Sequence, residues 1–205
     1  MNSLNTAAIV TILALGSFAL WAATEGGHIW TAETARRVAV QRSPLPLPTS
    51  IVIDDTRQGR LSLGQFKAPV LLMDFVFTRC PTVCIAMGAE FRDVQRRLAE
   101  HPRYADLRFL SISFDPADSV ADMQDYLRRF RADTQTWSGA RVADAEQRRA
   151  LLDLLDVIAI PSPQEGFVHN AAIYIVVEGR VHEIIDFGDT QHTLARVLHY
   201  LEQPQ

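Results

Sequence analysis

Two cysteines in 205 residues are too few to staple a domain of this size, which excludes a disulfide scaffold and leaves the pair for chemistry. Other features are missing as well. No internal repeat, glycine-rich phosphate loop or zinc-finger spacing occurs. No basic block accompanies the net charge of −4, so nucleic acid is not an expected partner. Charge is absent altogether from the first 24 residues. An Arg-rich amphipathic transit peptide is absent too, which favours a bacterial protein over a mitochondrial precursor.

What is present suits one globular domain with an N-terminal addition. Charged residues make up 21% and apolar ones 48%, far from the composition of disordered chains. Ala7 to Ala23 is nearly all apolar. As a helix at about 1.5 Å per residue it would span roughly 26 Å, near the lower limit for a bilayer crossing. A cleaved signal peptide ending near Ala22 or Ala23 is the rival reading, although Met1 to Thr6 carries no positive charge. With the first Arg at Arg36, loop charge gives no orientation. Trp21 and Trp30 are candidates for the outer interface. The expectation is an anchor (or uncleaved signal) over 1–24, a Pro-rich tether over 25–49 that contains His28, and a domain over 50–205. Either leading reading exports the domain to a compartment where a dithiol persists as a disulfide.

Along that domain, apolar runs alternate with helical patterns. Ile51 to Ile53 reads as a strand, with a turn at Asp54, Asp55 and Gly59 and another at Gly64. Val70 to Phe77 is too continuously apolar for a half-exposed strand and suits the centre of a sheet covered on both faces. Asp74 interrupts it, either as a structural carboxylate with partners or as a tuner of nearby thiols. Ile85, Phe91, Val94 and Leu98 recur at helical spacing, giving a helix from about Thr82 to Ala99 with Pro81 in its first turn. Leu107 to Ser113 is the next strand, and Ser119 caps a helix from Val120 to Phe130. Asp144 opens a third helix that Pro161 and Pro163 stop. Ala171 to Val177 forms a buried strand, Glu178-Gly179 turns it into Val181 to Ile185, and Thr190 to Leu201 closes the chain as a helix. This order predicts an α/β sandwich of thioredoxin type, with a central mixed sheet and helices on both faces.

The chemistry lies in Cys80-Pro81-Thr82-Val83-Cys84. Two cysteines four apart at the start of a helix share one face, and the helix N-terminus favours thiolate. Three uses remain open: a redox couple, ligands for a soft metal, or both. Thiolates select ions such as Cu(I), and an imidazole completes a three-coordinate site or helps to hold Cu(II). Zinc fits less well for want of a fourth ligand. Of the remaining histidines, His169 lies just before a buried strand, whereas His101, His182, His192 and His199 read as surface residues. Met73 and Met87 read as core. Arg79, beside Cys80, reads as a surface or partner-contact residue rather than the activating Arg of a peroxidase.

Phe75-Val-Phe-Thr-Arg-Cys-Pro-Thr-Val-Cys84, Ser111-Ile-Ser-Phe-Asp-Pro-Ala-Asp118, the Asp54–Gly59 turn and His169 ahead of Tyr174-Ile-Val together resemble the Sco/SenC family of copper-binding, thioredoxin-like proteins that assist cytochrome c oxidase assembly. The resemblance covers about Leu47 to Leu201. It implies that Cys80, Cys84 and His169 bind copper, Cu(I) or Cu(II). It implies a chaperone that serves the dinuclear copper centre of oxidase subunit II or a similar copper-site protein, supplied by a copper donor and a thiol reductant. It places the chain at a bacterial inner membrane, single-pass, with the domain on the periplasmic or outer face. The alternative is a thiol–disulfide oxidoreductase that reduces a partner's cysteines through Cys80 and Cys84 without carrying metal. Enzymatic turnover is not required by the first role. Asp115 and Asp118 match acidic positions near the family site, where they orient His169, shape a partner surface, or merely cap turns. Ile85 and Asn170 stand where many members have Pro and Ser.

Overall fold

A computed structural model describes residues 3–24, 26–27, 30–80, 82–163 and 166–203, with side chains from Ile9 onward. Pro81 and His28, both considered above, lie outside the described residues. The chain divides into two compact units, Met1–Arg42 and Ser43–Gln205.

The first unit holds helices α1 (Ser3–Ala23) and α2 (Ala32–Arg42). The apolar side chains of α1, Ile9, Leu13 and Phe18 among them, are exposed. Among the described residues, no helix is long and apolar enough to cross a membrane. On α2, Glu33 pairs with Arg36 and Arg37 at 2.7 and 2.8 Å, the spacing at which helix side chains meet.

The second unit is built on an eight-stranded mixed sheet in the order β1-β10-β9-β4-β5-β6-β2-β3. Its strands are β1 (Leu45–Pro46), β2 (Val52–Asp55), β3 (Gly59–Ser62), β4 (Val70–Val76), β5 (Leu107–Ser113), β6 (Trp137–Arg141), β9 (Ile173–Val177) and β10 (Arg180–Ile185). A separate hairpin is formed by β7 (Ala159–Ser162) and β8 (Gly166–His169). Helices α3 (Val83–Leu98), α4 (Val120–Phe130), α5 (Ala145–Leu154) and α6 (Thr190–Glu202) complete the α/β sandwich of thioredoxin type that the element order predicts.

Every residue of β4 is buried, as its unbroken apolar run requires of a central strand. It runs parallel to β5 and antiparallel to β9. Its alternate residues divide the core. Leu72 and Asp74 share a face with Phe109 and Ser111, and on that face Phe91, Phe109 and Trp137 pack edge-on or tilted at 5.4 to 6.1 Å. Phe75 and Ile112 point the other way, toward Val142 and Leu151. Ser119 and Asp144 cap α4 and α5, each side chain taking up an amide of the first turn.

Three details differ from expectation. The Pro-rich stretch, predicted as free tether, contributes Leu45–Pro46 as an edge strand on β10 and buries Leu47; an edge is where a strand tolerates residues without an N–H. Asp54 and Asp55 lie in β2, and Asp55 Oδ1 accepts from the amides of Arg57 and Gln58 at 2.9 and 2.7 Å to fold the turn that follows. Strand β6 was not predicted, because Trp-Ser-Gly-Ala-Arg lacks a strand pattern.

Helices α3 and α4 meet closely at Gly88, where an added Cβ would lie 2.4 Å from the ring of Phe130. Phe130 is itself packed on Tyr126 and Trp137, so the ring has little room to retreat. Gly88→Ala should therefore destabilise the domain by about 1–3 kcal/mol, read as a lowered urea midpoint; an unchanged midpoint would show that the helices separate freely.

Candidate metal centre

The loop after β4 carries Cys80 into the N-terminus of α3. Its approach is fixed by Asp118, whose buried carboxylate accepts from Thr78 N–H at 2.8 Å, Thr78 Oγ1 at 2.6 Å and Ser113 Oγ at 2.6 Å. Arg79 forms an ion pair with Asp115, whose Oδ1 also accepts from Ala117 N–H at 2.8 Å. These two acids thus hold the cysteine loop against the end of β5. Their hydrogen bonds go to that loop and their own turn, and His169 is held by other means.

Cys84 lies in the first turn of α3, 1% exposed, and Cys80 just before it, 5% exposed. Both are free thiols. The two are electrostatically unlike. Burial pushes Cys80 up, but the amides of Cys84 and Thr82 and those residues' side chains outweigh it and hold the thiol below its ordinary value; the Cys84 amide is 3.4 Å from its sulfur. Burial raises Cys84 well above the ordinary range, and neighbouring Cys80 adds to the rise. The metal-free pair therefore presents one thiolate-prone sulfur at the loop and one thiol behind it.

His169 ends β8. Its ring rests edge-on or tilted against Phe77 at 5.9 Å and Phe114 at 5.1 Å, with Phe167 packed on both of those rings at 5.3 Å. Nδ1 lies 3.0 Å from the Asn170 carbonyl oxygen. A carbonyl only accepts, so Nδ1 carries the proton and the Nε2 lone pair faces Cys84 Sγ, 3.6 Å away. Burial lowers the His169 pKa, partly offset by that hydrogen bond, which keeps the ring neutral and able to ligate. Asn170 fastens the strand end: its Oδ1 accepts from Ile158 N–H at 2.7 Å and its Nδ2 donates to Asp156 O at 2.9 Å.

Sγ of Cys80, Sγ of Cys84 and a ring nitrogen of His169 all lie within 4.8 Å of one another, the one such group of possible metal ligands among the described residues. Metal–thiolate and metal–imidazole bonds run about 2.3 and 2.0 Å, so an ion seated among these atoms would not require the elements to move far. Two sulfurs and one imidazole form a soft, three-donor set. His101, His182, His192 and His199 lie outside it: His101 accepts from Arg103 N–H, His182 and His199 pack on Tyr200, and His192 is exposed on α6. Met73 and Met87 are fully buried core residues.

The hairpin that delivers His169 was missed from sequence, as were Phe77, Phe114, Phe167 and Asn170 as its supports. The signal was faint: Pro161 and Pro163 suggest a break, yet Phe167-Val168-His169 alternates as a strand does, with Val168 exposed between two less exposed rings. Gly166, at φ +79° with Phe77 3.2 Å from where a Cβ would stand, lets the strand begin against the aromatic cluster.

A SCO1 protein homolog of Bacillus subtilis (strain 168) is 28% identical over 139 residues, 65% of this chain and 69% of the relative. The structure of Bradyrhizobium japonicum ScoI with copper bound superposes with a TM-score of 0.62 at 21% identity, covering 76% of this chain and 99% of that one. A second structure is described as identifying a disulfide switch in BsSco, a member of the Sco family of cytochrome c oxidase assembly proteins; it gives a TM-score of 0.62 at 21% identity, covering 79% and 98%. The two structures share the fold with this chain. The family model SCO1/SenC matches residues 50–202, nearly the whole second unit, and the chain therefore belongs to the SCO1/SenC family.

Proposed function

We propose that this protein is a copper chaperone that binds one copper ion through Cys80, Cys84 and His169 and hands it to the dinuclear copper centre of cytochrome c oxidase subunit II or a similar site. The observation that carries this reading is the convergence of three soft donor atoms within 4.8 Å, supplied by two elements that the sequence separates widely. The copper bound to a Sco relative supports the identity of the ion. Copper is cargo here. The loop thiolate of Cys80 meets Cu(I) first, Cys84 gives up its proton as its sulfur binds, and the Nε2 lone pair of His169 closes the set. Release follows as ligands of the acceptor replace these donors one at a time.

The uncharged run of α1 supports an anchor over 1–24, followed by a tether and the domain, with the domain on the outer face of a bacterial inner membrane. A second reading, thiol–disulfide exchange with the cysteines of a partner, is favoured by the unlike pair of thiols. The two sulfurs also lie within 4.8 Å of each other, near enough for exchange between them.

Anaerobic Cu(I) titration of the reduced full chain against a strong competing chelator tests the first reading. One copper per chain is expected, with retention against the competitor lost in Cys84→Ser. Absence of competitive binding by the wild type would overturn it.

A further inference from the structure

The hairpin that delivers His169 ends in an irregular pair of residues, and the irregularity falls beside the ring. Strands β7 and β8 keep antiparallel register from Ser162 opposite Gly166 to Ala159 opposite His169. Ile158 and Asn170 come next in that register. A hydrogen-bonded antiparallel pair exchanges two bonds, each N–H going to the other residue's carbonyl. One of the two is made here, Asn170 N–H donating to the Ile158 carbonyl at 3.2 Å. The Ile158 N–H goes instead to the Asn170 side chain, where Oδ1 accepts it at 2.7 Å.

Both ends of that side-chain amide are engaged. Nδ2 donates to the Asp156 carbonyl at 2.9 Å, and because a carbonyl only accepts, this contact fixes which way round the amide sits. The segment it grips is itself tied to α5, since Val157 N–H donates to the Leu152 carbonyl at 2.7 Å. Asn suits the place because one short planar group offers an acceptor and a donor together. Asp would keep the acceptor and lose the donor, and Ala would lose both.

The substitution of a side-chain oxygen for a main-chain one leaves the Asn170 carbonyl without its ladder donor. That carbonyl lies 3.0 Å from His169 Nδ1. We propose that Asn170 is a positioning residue for the third donor of the metal centre. Its side-chain amide takes over the bond to Ile158, which frees its carbonyl to hold the Nδ1 proton and leaves Nε2 open toward Cys84 Sγ, 3.6 Å away. The role rests on the copper reading above. Were the ladder to close in the ordinary way, the carbonyl would turn to Ile158 N–H and Nδ1 would lose its acceptor. The ring proton would then be free to settle on Nε2. There it would set an N–H, and no lone pair, in front of the sulfurs, and the tautomer of a ligating imidazole is fixed by the bond its other nitrogen makes.

The test uses the full reduced chain, free of metal, at pH 8. Nitrogen–proton correlation spectra of the imidazole rings read the tautomer, with the His169 signals assigned by their absence from His169→Ala. Wild-type His169 should carry its proton on Nδ1. Asn170→Ala should move much of the population to the Nε2–H form and weaken Cu(I) retention in the competition titration about tenfold or more. Asn170→Asp keeps Oδ1, so it should hold tautomer and affinity near wild type although it also loses the Nδ2 bond. A residue that only supported the fold would make the two variants alike, and thermal melts report that both are folded. A wild-type ring protonated on Nε2 would overturn the proposal. So would an Asn170→Ala variant that keeps the Nδ1 proton, or one that loses it without losing copper. The tautomer is read without copper, so these failures are distinct from that of the copper reading, which a wild type unable to retain the ion would overturn.

Discussion

His169→Ala should weaken Cu(I) binding by about a hundredfold or more while leaving the domain folded. Loss of a partner that merely orients a ligand costs some 10–100-fold in metal affinity, and loss of a donor atom should cost at least as much. The ring is half-buried on the rims of Phe77 and Phe114, so its removal takes away some packing but opens no deep cavity. Competition titration of reduced wild type and variant gives the ratio directly, and a urea melt gives the control. Equal tight binding would keep copper and remove His169 as a ligand. Equal weak binding would sink the three-donor site and raise the redox reading.

Asp74→Asn should stabilise the metal-free, reduced protein at pH 8 by about 2–4 kcal/mol, with the gain vanishing toward pH 4. The carboxyl has an ordinary value of 3.8 and burial raises it to about 7 in the fold. A folded-state value above the unfolded one means that the native protein binds the proton more tightly. Stability is therefore greatest below about pH 4, is lost as pH rises toward 7, and stays lost above it. Roughly three units correspond to about 4 kcal/mol at most. A protonated carboxyl and a carboxamide cost similar amounts to bury unpaired, so the two proteins should converge in acid. Urea unfolding at pH 5 and pH 8 checks the slope, and a pH-independent difference would show that the carboxyl stays neutral throughout.

Much of the fold could be read from the chain because the informative segments obey a single period. Val70 to Val76 is apolar at every position and proves to be a fully buried central strand. Ser119 and Asp144 announce helix starts through the chemistry of their side chains, and both caps form. Where several short-range signals compete, prediction failed. Pro161, Ser162 and Pro163 argue for a plain break, yet β7 pairs with β8 residue for residue from Ala159 to His169. Leu45–Pro46 reads as polyproline and becomes an edge strand only because β10 offers it a partner. For Asp74 a partnered structural carboxylate and a thiol tuner were both open, and the fold leaves its oxygens unpaired.

Two thiols four apart at the start of a helix, behind a buried strand, were legible in the residues alone, since periodicity and helix geometry act over a few residues and need no distant partner. The sequence also marked His169 as the histidine best placed to join them. The folded chain adds that the Nε2 of His169 faces Cys84 at 3.6 Å, that Asp118 pins the cysteine loop, and that the buried carboxylate of Asp74 has no hydrogen-bond partner. Each of these depends on which strands neighbour one another and in what register. That is settled by the packing of the whole core, and no local stretch of residues contains it.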